Sequence, residues 1–115
     1  MGTQLTKEAD YLISLLYKSY LEKRKNGISK FQSKHTGSSS EILDNILPKW
    51  EFDDVDETCR ELCRANMLQG QFASDVMVDS FLTDNAIIYM ENRFKNGLNS
   101  VIEHISKIKS AIPFL

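Results

Sequence analysis

Six basic side chains concentrate between residues 18 and 35, against the single carboxylate of Glu22, so this segment carries a net charge of +5. Lysine and arginine neutralise phosphates, and a cluster of them is an electrostatic signature of nucleic-acid binding. The segment therefore supplies the first DNA-contact candidates, which are Lys23, Arg24, Lys25, Lys30 and Lys34. The alternative is a solvated helix end whose lysines only favour solubility.

A second segment, residues 51–64, is acidic: six carboxylates stand against two arginines, a net charge of −4. Its apolar residues recur at i, i+4, i+7 and i+8, which predicts a helix with one buried face (Val55, Cys59, Leu62 and Cys63). Arg60 and Arg64 lie one turn apart on the opposite face and are further DNA-contact candidates. The alternative is that they pair with Glu57 and Glu61 on a solvated surface.

The sequence contains no pattern typical of catalysis or of metal binding. Cys59 and Cys63 are one helical turn apart, a poor geometry for a disulfide, so we expect small buried hydrophobes in a reducing compartment. His35 and His104 lie in other segments, and no spacing resembles a zinc site. Phosphate-binding loops, nucleophile elbows and zinc-protease motifs are also missing. We therefore expect no enzyme, no cofactor and no metal.

The first half of the chain predicts three helices. Thr6 is a suitable N-cap for a helix ending near Lys25, where Asn26-Gly27 provides a stop. Gly27-Ile28-Ser29 is expected to form a short strand or turn. Ser29 then caps a short helix to about His35 with Phe31 facing inward. The serines at 38–40 cap a third helix that ends at Pro48.

Residues 52–82 predict a helix followed at once by a hairpin. Asp53 is the expected N-cap of that helix. After Met67-Leu68-Gln69-Gly70 the residues at 76–82 alternate with the period of a strand. The polar tip of the hairpin is expected at Ala73-Ser74-Asp75. A helix that leads directly into a hairpin is typical of the second half of a winged helix-turn-helix, with the hairpin as the wing.

The end of the chain predicts one long helix, about 84–112, capped by Thr83. From Phe94 the apolar spacing is 4, 3, 4, 3, 4, 3, an a/d heptad. We expect a homodimer through this stripe, whose members are Phe94, Leu98, Val101, Ile105, Ile108 and Ile112, with Leu115 as the last d position. Packing of the same face against the first helix is the alternative, which Ile102 favours because it widens the stripe. Gly97 is expected to weaken or kink the helix.

The segments VDETCRELCRANMLQG and LTDNAIIYMENRF, together about Phe52 to Phe94, resemble the YjcQ-like winged-helix proteins of Gram-positive bacteria and their phages. The resemblance implies a winged-helix fold and, at most, DNA binding; it carries no catalytic residues.

Length and composition agree with one domain over 1–115, with its core at about 6–94. The chain has 42% hydrophobic and 26% charged residues and a net charge of −2. No apolar run is long enough for a membrane span, so we expect a cytoplasmic protein. We therefore predict a mainly helical α+β winged helix that acts as a small DNA-binding regulator on double-stranded DNA. The alternative is a winged-helix protein–protein interaction module without DNA binding.

Overall fold

Six helices and one two-stranded antiparallel sheet make up residues 4–112, the part of the chain that the computed structural model describes. The fold is therefore α+β and mainly helical, as predicted. Within this range no helix is both long enough and apolar enough to cross a membrane. The elements are α1 (Lys7–Lys25), α2 (Lys30–Ser33), α3 (Ser39–Asn45), α4 (Phe52–Arg64), β1 (Leu68–Ala73), β2 (Val76–Leu82), α5 (Asp84–Arg93) and α6 (Leu98–Lys109).

Hydroxyl side chains cap four of the helices where the sequence predicts them. Thr6, Ser29, Ser38 and Thr83 each accept a hydrogen bond from the backbone N–H three residues on, and Ser38 forms a capping box with Glu41. Such a bond satisfies one of the N–H groups that a helix start leaves free. The prediction of Asp53 as the cap of α4 was wrong. The N-cap position is Glu51, so the helix begins at Phe52, two residues earlier than predicted, and Asp53 lies in its first turn.

The hairpin joins β1 to β2 through a two-residue turn, Ser74-Asp75. Both residues have positive φ, 50° and 66°, which suits the right-handed twist of a tight hairpin. The predicted tip is therefore one residue too long, because Ala73 pairs with Val76. One face of the sheet is apolar and faces the core: Leu68 pairs with Leu82, and Met77 is also buried.

The outer edge of β2 is covered by residues 34–37, which pair with it like the stub of a third strand. The amide of Leu82 donates to the carbonyl of Lys34 at 2.7 Å, and the amide of Thr36 donates to that of Ser80 at 2.9 Å. Ser80 is buried, and its Oγ donates to the carbonyl of Gly37 at 2.6 Å. Strand-like pairing thus occurs after α2, whereas Asn26-Gly27 form a turn and Ile28-Ser29 are irregular before it.

The core is built around α1, which contacts α2, α4, α5 and α6. Its buried positions cover a wide stripe, as its sequence predicts, and Leu12 and Ile13 are fully enclosed. The third helix packs on α4 and β2, and α4 packs on β1. The hairpin is thereby held against the helices.

The predicted single helix over 84–112 was wrong. The fifth helix ends at Arg93 and α6 begins at Leu98, and Gly97 between them has φ +70° and ψ −136°. A continuous helix cannot pass through a residue in that conformation, which glycine adopts without strain. The break lets α6 lie along α1.

Most of the heptad residues are buried within the chain. Four of them are buried in the chain's own core (Phe94, Val101, Ile108 and Ile112), while Leu98 and Ile105 are half-buried. Ile102, beside the stripe, is 41% exposed. The stripe thus packs against α1 of the same chain, which is the alternative to a dimer interface that the sequence analysis gave. Leu115 lies outside the described residues, and homodimerisation stays a prediction.

Candidate nucleic-acid interface

The five basic candidates between residues 23 and 34 lie together on the surface, and we call them the basic edge. Lys23 Nζ donates to the carbonyl of His35 at 3.1 Å, and Arg24 Nη1 donates to that of Ile28 at 3.1 Å. Both bonds tie the α2 segment to the end of α1. The α1 stop is the predicted one: Gly27 has φ +84°, and the amide of Ile28 reaches back to the carbonyl of Lys23 at 3.0 Å.

Lys34 makes an ion pair across the surface with Asp84 at 3.1 Å. That hydrogen bond lowers the pKa of the Asp84 carboxyl, and the charges of Lys34 and Lys30 add to the effect. The side chains of Lys25 and Lys30 are exposed, and within residues 4–112 they make no hydrogen bond or ion pair. These two ammonium groups are therefore available to a ligand.

Arg60, a DNA-contact candidate from the sequence, instead binds to the hairpin. Its Nε donates to Asp56 Oδ2 at 2.9 Å, and its Nη2 donates to the carbonyl of Asp75 at the hairpin tip. Its guanidinium also lies over the ring of Phe72, 4.7 Å from the centroid. The side chain therefore anchors the hairpin tip to α4 and presents little free charge to a ligand.

Asp56 joins three elements, a role that the sequence does not reveal. One carboxylate oxygen accepts from Ser39 Oγ at 2.7 Å and from the amide of Met77 at 3.4 Å, and the other accepts from Arg60. Burial alone would raise the pKa of Asp56, but the hydrogen bonds from Arg60, Ser39 and Met77 outweigh it and lower that pKa. The carboxylate thus links α3, α4 and β2 in its charged form.

The outward face of α4 is acidic and its other arginine is paired. Arg64 Nη2 lies 3.2 Å from Glu57 Oε2, and both side chains are exposed, as one predicted alternative has it. Glu61 does not pair with an arginine; it accepts from the amide and the hydroxyl of Thr6 at 2.9 and 2.7 Å. Asp53 and Asp54 remain exposed. Phosphates would meet repulsion along most of this helix.

An exposed aromatic group, which we call the aromatic shelf, adjoins the basic edge and consists of Phe31, His35 and Phe81. The ring of Phe31 stacks on that of Phe81 with centroids 5.7 Å apart, and the His35 ring lies 4.9 Å from Phe81. Phe31 is 69% exposed, so the prediction that it faces inward was wrong. The four-residue α2 buries only one position, and Ser33 occupies it.

A shallow groove of about 350 Å³ runs beside the shelf. Gln69 and Phe81 are cross-strand partners, as are Gln71 and Asp79, so these four side chains share one face of the sheet. Asp79 is held by His35, with Oδ1 2.6 Å from Nε2. The groove is lined by Phe31, Lys34, Gln69, Gln71, Phe81, Leu82, Thr83 and Asp84.

The cysteines lie in the core side of α4 and lack the character of nucleophiles. Burial raises the pKa of the Cys59 thiol to about 12 and also raises that of Cys63. Within the described residues, no three His, Cys, Asp or Glu side chains come together in a way that could hold a metal ion.

Comparison of the chain with protein-family models, with curated proteins and with solved structures finds no match.

Proposed function

We propose that this protein is a winged-helix DNA-binding regulator that contacts the phosphate backbone through its basic edge. The order of elements supports the fold: α1, the strand-like residues 34–37, α3, α4 and then the hairpin follow one another as in a helix-turn-helix with a wing. The resemblance to YjcQ-like proteins adds a bacterial or phage origin to the proposal.

The observation that carries the DNA-binding proposal is that the arginines of α4 are paired with carboxylates, whereas two lysines of the basic edge are not. The arginines of α4 are taken up by Asp56, Asp75 and Glu57. On the basic edge, Lys25 and Lys30 are exposed and unpaired within residues 4–112, next to three further cations. A phosphate backbone would therefore find free positive charge at the α1–α2 end and not on α4.

Charge reversal on the basic edge should weaken this binding. We expect wild type to bind duplex DNA at low salt, with a linear fall of log K against log salt. The double variant Lys25→Glu/Lys30→Glu should bind at least about tenfold more weakly and show a shallower salt slope, because each lost phosphate contact removes released counterions. Fluorescence anisotropy with a labelled duplex measures both quantities.

The matched control is Arg64→Ala, which removes one exposed cation from α4. It should leave duplex affinity within about twofold, because Arg64 is already paired with Glu57. If Arg64→Ala weakens binding as much as the lysine double variant, α4 is the contact helix and the basic edge is not. If wild type binds no duplex at low salt, the DNA-binding proposal fails.

A second candidate function is docking of a basic protein partner, which one surface favours. An open groove lies between the start of α1 and α4. It is lined by Thr6, Glu8, Asp54, Glu57, Thr58, Glu61 and Arg64. Carboxylates dominate it, so it complements a lysine- or arginine-rich segment. Binding of such a partner should be lost in Asp54→Lys/Glu57→Lys and retained in Lys25→Glu/Lys30→Glu, the reverse of the DNA result.

A further inference from the structure

The aromatic shelf exposes more apolar surface than its packing requires. Phe31 stacks on Phe81, yet 69% of its surface remains exposed, so the other face of the ring is open. It is the most exposed of the large hydrophobic side chains described in residues 4–112. Hydrogen bonds from Lys23 to the carbonyl of His35 and from the amide of Leu82 to the carbonyl of Lys34 hold the α2 segment to its neighbours, so the open face of the ring is not needed for that.

Positively charged side chains lie next to the shelf. Lys30 and Lys34 flank Phe31 along the chain, and Lys23 bonds to the carbonyl of His35. Two carboxylates are also near, but Asp79 is paired with His35 and Asp84 with Lys34. The three lysines next to the shelf, Lys23, Lys30 and Lys34, outnumber these two carboxylates.

The wall of the groove beside the shelf presents side-chain amides. Gln69 is exposed on β1 and pairs across the sheet with Phe81, and exposed Gln71 follows on the same face. Each amide offers two N–H donors and one carbonyl acceptor. Their heads adjoin an aromatic surface that is bordered by lysines. These groups match the three parts of a nucleotide in a single strand. The open π-face suits the face of a base, the amides suit its edge, and the ammonium groups suit the phosphates.

We propose that the aromatic shelf is a stacking site for an unpaired nucleobase, so that the protein binds single-stranded DNA in preference to duplex. The base lies on the open face of Phe31, Gln69 and Gln71 contact its edge, and Lys30 and Lys34 contact the flanking phosphates. This inference rests on the proposed nucleic-acid binding by the basic edge and adds the structural state of the ligand. Paired bases in a duplex are stacked on their neighbours and offer no free face to the ring.

The contributions of base stacking and phosphate binding to the affinity can be distinguished with three labelled probes of equal length. Their binding is compared by fluorescence anisotropy at one low salt concentration. The probes are oligo-dT, an abasic strand with the same phosphates, and a duplex. Wild type should bind oligo-dT more tightly than both of the others. Phe31→Ala should weaken binding to oligo-dT by about tenfold, the usual effect of losing one aromatic stacking partner, and leave binding to the abasic strand unchanged.

Three variants serve as controls for that loss. Phe31→Tyr keeps the aromatic ring and should retain binding, whereas Phe31→Leu keeps apolar bulk without a π-face and should resemble the alanine variant. Ile88→Ala removes another exposed apolar side chain, 57% exposed on α5, and should change nothing. Thermal melting should show all four variants folded, because each substituted side chain is mostly solvent-exposed.

The results separate this inference from the proposed function. If Phe31→Ala has no effect on oligo-dT, or weakens all three probes equally, the stacking site is refuted while lysine-dependent DNA binding stands. If polyglutamate competes with oligo-dT and its binding also depends on Phe31, the shelf recognises acidic polypeptides and the base-stacking inference fails. If wild type binds none of the nucleic-acid probes, both proposals fail.

Discussion

At the scale of single residues, several charges that look available for surface chemistry hold the fold together. Asp10 on α1 receives a bidentate contact from Arg93 on α5, at 2.6 and 2.9 Å. His104 on α6 lies 3.2 Å from the same carboxylate and 3.0 Å from Arg93. One partly buried carboxylate thus gathers three helices, and Asp56 does the same for α3, α4 and β2.

These two carboxylates should make the protein sensitive to acid. Burial alone would raise the pKa of Asp10, but Arg93 and His104 outweigh it and lower that pKa, as the partners of Asp56 do for Asp56. A lowered pKa in the folded state gives stability that is complete above the unfolded value of about 4 and is lost as pH falls through the folded value. Urea unfolding at a series of pH values should therefore show a falling free energy of unfolding below about pH 4.

The variant Asp10→Asn tests the origin of that slope. It should lower the free energy of unfolding at neutral pH by about 1–3 kcal/mol, because Arg93 loses its charged partner, and should flatten the acid slope. Asp44→Asn, at an exposed position of α3, is the control and should match wild type. An acid slope unchanged in Asp10→Asn would mean that other carboxylates cause it.

At the scale of elements, the decisive feature is the break between α5 and α6. The a/d spacing from Phe94 onward is compatible with one helix, but residues 94–97 lie outside both helices and Gly97 takes φ +70°. The new helix begins with a hydrogen bond that the amide of Val101 donates to the carbonyl of Gly97 at 3.2 Å. Glycine is needed there because L-residues rarely adopt this conformation.

Gly97→Ala should therefore destabilise the protein. A Cβ at this position meets nothing within 4 Å, so the expected cost of about 1–3 kcal/mol comes from backbone strain alone. Asn96→Ala, at the exposed neighbouring position, should stay within about 0.5 kcal/mol of wild type. Thermal unfolding followed by circular dichroism measures both. Equal stability of the two variants would show that α5 and α6 are continuous in solution.

At the scale of the whole molecule, the basic edge, the acidic face of α4 and the apolar stripe of α6 occupy separate places. The basic edge lies at the α1–α2 end, the acidic face lies on α4, and the apolar stripe of α6 lies inward against α1. Val101 is fully buried in this contact. The arrangement makes α6 part of the monomer's core.

The stability of the fold should accordingly be independent of protein concentration. Val101→Ala should lower the free energy of unfolding by about 1–3 kcal/mol through lost burial and a residual cavity, equally at low and high concentration. Ile102→Ala, at the exposed edge of the same helix, should have little effect. A melting temperature that rises with concentration, together with a dimer mass by light scattering, would instead support homodimerisation.

The sequence by itself determined what local interactions control. The helix starts at Thr6, Ser29, Ser38 and Thr83, the α1 stop at Asn26-Gly27 and the helix-then-hairpin order all follow from side chains within a few positions of one another. The basic character of residues 18–35 and the acidic character of α4 are likewise properties of composition. None of these needs a distant partner, so pattern and propensity suffice.

The tertiary structure alone decided how those elements use their side chains. Whether the stripe beginning at Phe94 packs on α1 or on another chain depends on the backbone at Gly97, and heptad spacing does not report it. Arg60 anchors the hairpin tip because the hairpin returns to α4 from 15 residues further along the chain. Phe31 was left in solvent because the short α2 has room to bury only Ser33. Each outcome depends on contacts between residues far apart in sequence, which periodicity cannot encode.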